Sequence, residues 1–277
     1  MLRFCAGLVA ILLACPAAAA PPRNGEGAQA GVAFDRAGER GSYAEGLADP
    51  ATGRRATAGD PVRIASVSKL VVAIAVLRMV EDGVLDLDRP VGEYLGYAVE
   101  NPAFPRQKVT LRRLLSHTAS LRDHDDQYAI PLGGTLRAVL ADAASWDPGR
   151  GPDQGYFAYG NINFPVIASV IERVTGTRFD HMVRQLVLQP LGLDACFNWP
   201  TCSDQAVARA VVLTQGGKAV RDDLGGKRPA CPVQPAADGS CNLSRFVAGE
   251  NGALFSPQGG LRISARELAR IGRMLLN

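Results

Sequence analysis

Histidine is scarce in this chain of 277 residues, and none of the three present, His117, His124 and His181, forms a His-Glu-x-x-His pattern. The six cysteines include no Cys-x-x-Cys pair, so both familiar zinc spacings are absent and neither a metal nor any other cofactor is expected. No Gly-x-Ser-x-Gly occurs, which argues against a nucleophile elbow and the α/β-hydrolase fold built around it. Charge of one sign is also lacking. The net charge is only +3, and isolated pairs such as Arg54-Arg55 and Arg112-Arg113 read as solvated faces, so nothing points to nucleic acid. There are no internal repeats, and no low-complexity tract beyond the N-terminal region. What is present is ample apolar material, 47% hydrophobic against 21% charged, enough for a large core in one globular unit with two lobes.

The N-terminus reads as an export signal over residues 1–20. Arg3 gives a positive start, Phe4 to Ala14 an apolar stretch too short for a confident membrane span, and Ala17-Ala18-Ala19-Ala20 a small-residue cleavage zone. The domain proper is then 21–277. Leu12-Leu13-Ala14-Cys15 also resembles a lipoprotein signal, so membrane anchoring is expected only if Cys15 is acylated. Removing the signal takes Cys5 and Cys15 and leaves Cys196, Cys202, Cys231 and Cys241, which allow three disulfide pairings. Short loops favour Cys196 with Cys202 and Cys231 with Cys241.

Chemistry enters at Ile64-Ala65-Ser66-Val67-Ser68-Lys69-Leu70, a Ser-x-x-Lys pair at the mouth of the apolar run Leu70 to Leu77. Helical positions three apart share a face, so the Ser66 hydroxyl meets the Lys69 amine where a weak nucleophile needs a proton acceptor. The apolar residues from Val71 to Val76 desolvate Lys69, and a helix N-terminus near Ser66 favours developing negative charge. A second segment, Gln154-Gly155-Tyr156-Phe157-Ala158-Tyr159-Gly160-Asn161, precedes a helix-period apolar run and sets a phenol and an amide two residues apart on one turn. Tyr159 there can share or relay the proton of Ser66, while Asn161 can hold Lys69 and hydrogen-bond a substrate amide.

With these motifs the chain resembles the serine β-lactamase and penicillin-binding protein superfamily, in the class C branch that also holds D-Ala-D-Ala carboxypeptidases and esterases. The resemblance extends through Leu114-Leu115-Ser116-His117-Thr118, Glu172-Arg173-Val174-Thr175-Gly176, Gln189-Pro190-Leu191-Gly192-Leu193 and Gly259-Gly260-Leu261-Arg262-Ile263-Ser264. It implies an α+β fold, with a helical region inserted in an antiparallel sheet. It also implies a serine hydrolase acting through an acyl-enzyme on Ser66, with Lys69 as proton acceptor and anchor and Tyr159 as relay. Asn161 would bind substrate, and export would lead to the bacterial periplasm. The substrate would be a small molecule or peptide with an amide or ester bond: a β-lactam, a D-Ala-D-Ala peptide or a simple ester.

The family's third motif, Lys or His followed by a residue and Gly, is not found after Gly260. In the family it lies on a strand that supplies one of two oxyanion N–H groups, and losing one such donor typically costs about 10²–10³ in rate. The chain therefore reads as lacking the C-terminal strands of the sheet, through a shortened reading frame. The alternative function is a non-catalytic ligand-binding homologue.

Elsewhere, strands are expected at 31–36 and 42–47, and helices at 90–95, 110–116, 136–144, 162–174 and 179–187. A last helix should open at the capping box Ser264-Ala265-Arg266-Glu267. The stretch 201–248, rich in Gly, Pro and Asp, reads as loop. Asp123-His124-Asp125-Asp126 reads as a solvated loop rather than a cation site. His117, at the end of an apolar helix, reads as a structural hydrogen-bonding residue rather than a general base.

Overall fold

The computed structural model describes residues 27–215, 218–219 and 227–277; the expected export signal, with Cys5 and Cys15, lies outside them. Strands β1 (Gln29–Phe34) and β2 (Glu39–Glu45) form an antiparallel hairpin two to three residues earlier than the sequence suggested. The reason is Asp35, whose carboxylate accepts the N–H groups of Ala37 and Gly38 at 2.8 and 3.1 Å and closes the turn there. A second ladder joins β3 (Leu47–Asp49) to β4 (Arg54–Arg55). Arg54 is not the solvated side chain expected. It pairs with the buried carboxylate of Asp60 at 3.0 Å and donates to the carbonyls of Arg209 and Ala210, because a buried charge demands a partner.

Short strands β5 (Val62–Arg63), β6 (Cys196–Phe197) and β9 (Leu261–Ile263) make an antiparallel sheet in the order β5-β9-β6, while β7 (Thr214–Gln215) pairs with β8 (Lys218–Ala219). The helices are α1 (Ser68–Glu81), α2 (Val91–Leu95), α3 (Leu111–Leu115), α4 (Leu136–Ala141), α5 (Asn163–Thr175), α6 (Phe179–Val183), α7 (Asp204–Arg209) and α8 (Ala265–Leu276). Two stop short of their expected ends. Asp142 turns to extended backbone and caps a separate 3-10 turn at Ala143–Ser145, and α6 loosens into a π-helical turn at Arg184–Leu188. The segment read wholly as loop holds α7, which Ser203 caps by accepting the Ala206 N–H at 3.0 Å, and the β7–β8 pair; its residues 216–217 and 220–226 lie outside those described. Both short-loop disulfides form, Cys196–Cys202 and Cys231–Cys241. Among the described residues no helix is long and apolar enough to cross a membrane.

Helix α5 is the centre of the helical region, with every residue from Asn163 to Glu172 buried. Its Pro165 sits in the first turn, where the missing N–H costs no helical bond. Helix α1 turns Val71, Val72, Ala75, Val76 and Met79 into the same core, and each fully buried large side chain contributes roughly 1.5–3 kcal/mol. The chain returns across α5 at Gly252, where a Cβ would lie 2.3 Å from the Pro165 carbonyl oxygen, so only glycine permits this approach.

Beside that crossing, Glu172 is fully buried and accepts the N–H groups of Phe179 at 3.0 Å and Gly249 at 3.2 Å. Burial outweighs these donors and pushes its pKa up to about 7 from the ordinary 4.5. The native chain then holds a proton here that the unfolded chain releases above pH 4.5. This contribution to stability is full below about 4.5 and disappears as pH rises through 7, a swing of about 3 kcal/mol. Urea unfolding between pH 5 and 7 should show a stability slope that flattens by this amount in Glu172→Gln; parallel slopes would contradict the assignment.

Candidate active site

The turn that carries Ser66 is built where β5 runs into α1. Ile64 donates its N–H to the Leu261 carbonyl of β9 at 3.0 Å, and Ala65 then takes a left-handed φ of +47°, unusual for a residue with a Cβ. A 3-10 turn, Ala65–Val67, carries Ser66 into solvent before α1 begins. Ser66 thus sits just ahead of the α-helix rather than on it, and a repeat of three still aligns it with Lys69. The next turn is fixed from behind, since buried Ser68 accepts the Leu261 N–H at 3.1 Å.

Four side chains expected to act together are brought together. Lys69 is only 8% exposed, and its Nζ donates to Ser66 Oγ at 3.2 Å, Asn161 Oδ1 at 2.8 Å and the Gln258 carbonyl at 2.7 Å. Tyr159 Oη lies 2.7 Å from Ser66 Oγ, and Lys69 Nζ stands 5.0 Å from the Tyr159 ring centre. Three acceptors around one amine match the three N–H groups of an ammonium, and a buried charge so satisfied is tolerated. The Gln258 carbonyl was invisible to sequence reasoning, because a backbone acceptor leaves no mark on residue type.

Asp123 was read as part of a solvated acidic loop, and here that reading fails. Its carboxylate accepts the N–H and the side-chain amide of Asn161 at 2.8 and 2.9 Å, and the Ile162 N–H at 3.0 Å. With the Asn161 amide nitrogen so occupied, Oδ1 must face Lys69. Asp125 and Asp126 are exposed as expected, and no acidic, His or Cys cluster able to hold a metal occurs among the described residues. Asp123→Ala should lower kcat/KM about 10- to 100-fold through misplacement of Asn161, with a loss under twofold excluding this role.

His117 lies against the same turn. Its ring stacks on Tyr159 at 4.6 Å, and Nδ1 accepts the Gly160 N–H at 3.3 Å and faces the Asn163 amide at 3.2 Å. Burial first, and then the Lys69 charge, lower its pKa, so Nδ1 stays an acceptor. No hydrogen bond joins His117 to Ser66 among the described residues, and the arrangement matches a structural histidine rather than a base.

A family model described as Beta-lactamase matches residues 19–277. Esterase EstB of Burkholderia gladioli is 35% identical over 177 residues, 55% of this chain and 42% of that protein. Penicillin-binding protein 4 of Amycolatopsis lactamdurans is 27% identical over 242 residues, 87% of this chain and 57% of its own length. The chain therefore spans about half the length of these curated relatives. The class C beta lactamase structure from Rhodobacter sphaeroides superposes with a TM-score of 0.62 at 20% identity, covering 88% of this chain and 59% of that one. The fold is accordingly of the β-lactamase/transpeptidase type.

Proposed function

Because the chain belongs to the Beta-lactamase family, a superfamily of serine hydrolases, we propose that it cleaves an amide or ester bond through an acyl-enzyme on Ser66. The observation that carries this reading is the Tyr159–Ser66–Lys69–Asn161 cluster, in which one exposed hydroxyl meets both a phenol at 2.7 Å and a buried amine at 3.2 Å. As Ser66 Oγ bonds to the carbonyl carbon, its proton passes to Tyr159 Oη and the Tyr159 proton passes to the leaving oxygen or nitrogen. The acyl–heteroatom bond then breaks with its electron pair on the leaving group. Water reverses the relay: it attacks the ester carbon, gives its proton to Tyr159, and Tyr159 returns one to Ser66.

In this scheme the Lys69 amine, 3.2 Å from Ser66 Oγ, anchors the serine and stabilises negative charge building on that oxygen, while the proton-acceptor role is taken by Tyr159. Asn161 gives one N–H of its amide to Asp123 and its Oδ1 to Lys69, which leaves the second N–H to hydrogen-bond the substrate. The Ser66 backbone N–H is the first oxyanion donor. The bond cleaved is that of a β-lactam, a D-Ala-D-Ala peptide or an ester. The two disulfides, together with the export signal expected at 1–20, support action in the periplasm or outside the cell.

The test is turnover of p-nitrophenyl acetate and of nitrocefin by the purified chain, verified as folded by circular dichroism. Release above the solvent rate is expected with at least one of them. Binding of both without release would favour the ligand-binding alternative and overturn the hydrolase.

A further inference from the structure

Three large aromatic side chains stand exposed within four residues at the mouth of the site: Tyr156, Phe157 and Tyr159. Such exposure of large apolar rings marks a contact surface more often than chance. They are not equivalent. Tyr156 already has a ring face covered by the Arg150 guanidinium, 3.6 Å from the ring centre. Phe157 is 61% exposed, and its contact in the row is edge-on to His117 at 5.8 Å. Tyr159 stacks on the same imidazole at 4.6 Å.

The backbone makes this arrangement rigid. Ala158 donates its N–H to the His117 carbonyl at 2.9 Å, which ties this stretch to His117, and Phe157 and Tyr159, on either side of Ala158 in the chain, both meet the imidazole. The result is a fixed row, Phe157–His117–Tyr159, whose far end is hydrogen-bonded to Ser66. A preformed aromatic row costs a ligand little ordering entropy.

We infer that this row is the subsite for an aryl group on the leaving side of the substrate. The inference rests on the proposed acyl-enzyme reading, and the direction follows from proton transfer. Tyr159 Oη must lie within hydrogen-bond reach of the departing oxygen or nitrogen to hand it a proton. The leaving atom therefore sits at Tyr159 Oη, and an aryl group extending from it meets the exposed rings of Tyr159 and Phe157, which the buried His117 holds together. In the step itself the Ser66 Oγ–acyl bond forms and the acyl–O(aryl) bond breaks. The aryl oxygen takes the Tyr159 proton as Tyr159 takes that of Ser66. An aryl ring stacks or meets these side chains edge-on, contacts an alkyl group of the same size cannot reproduce.

The experiment compares kcat/KM for 2-naphthyl acetate with that for trifluoroethyl acetate, which differ only in the leaving group. The naphthyl-to-trifluoroethyl ratio should fall about tenfold in Phe157→Ala and return to within about twofold of wild type in Phe157→Tyr. A parallel ratio, trifluoroethyl phenylacetate to trifluoroethyl acetate, places the ring on the acyl side instead. The inference is overturned if Phe157→Ala leaves the naphthyl ratio within twofold, or if the loss appears in the acyl-side ratio. Failure of the hydrolase reading looks different, because the wild type would then turn over none of these esters. In that event the row is judged by 2-naphthol binding, read by its fluorescence. A Kd about tenfold weaker in Phe157→Ala supports the subsite, and an equal Kd removes it.

Discussion

Tyr159→Phe is expected to lower kcat/KM for ester hydrolysis about 10²- to 10⁴-fold, the range that a positioned proton donor and acceptor supplies. The change removes one oxygen. The ring keeps its stack on His117 and its place beside Lys69, so thermal unfolding should hardly move. What is lost is the 2.7 Å link to Ser66 Oγ and, with it, the route by which the serine proton reaches the leaving group. Leaving-group dependence is the sharper readout. Esters with good leaving groups need little protonation and should lose least, while poor leaving groups should lose most. A uniform loss across leaving groups would assign Tyr159 to positioning instead.

Lys69→Ala should cost about 10³ in kcat/KM, comparable to the deletion of one strong electrostatic donor at a developing negative charge. It should also destabilise the fold by roughly 1–3 kcal/mol, because the Asn161 Oδ1 and Gln258 carbonyl lose a buried donor. The two effects separate by Lys69→Arg. If charge alone mattered, arginine would restore much of the rate; if a compact amine with three fixed bonds matters, the larger planar head will not fit between Tyr159 and Phe164. The account predicts little rescue by arginine. Substantial rescue would contradict the three-acceptor picture.

The Ser66–Lys69 turn and the Tyr159–Asn161 turn were legible in the sequence as places where these side chains would meet, because the motifs depend on residue type at short spacing. Ser66, Lys69, Tyr159 and Asn161 could be named from residue type, and the resemblance to a known family joined Ser66 to Tyr159, 93 positions further on. Helices α1 and α5 were legible for a related reason, since the apolar run Leu70 to Leu77 and the helix-period apolar run after Asn161 both report burial directly. Asp123 was not legible. A carboxylate that accepts two backbone N–H groups and a side-chain amide looks the same in sequence as one that faces water. Arg54 was misread likewise, because its partner Asp60 and the carbonyls of Arg209 and Ala210 become neighbours only through folding. The strands of the β5-β9-β6 sheet run to two or three residues each, too short for alternation to show.

The central claim is that Ser66 is a nucleophile assembled for acylation, and the intact mass of the folded chain after incubation with a penicillin tests it most directly, beside Ser66→Ala. The account predicts a mass increase equal to one acyl group in the wild-type chain, mapped to the peptide that contains Ser66, and none in the variant. An increase in both proteins, or none in a wild-type chain shown to be folded and to hydrolyse no ester, would contradict it.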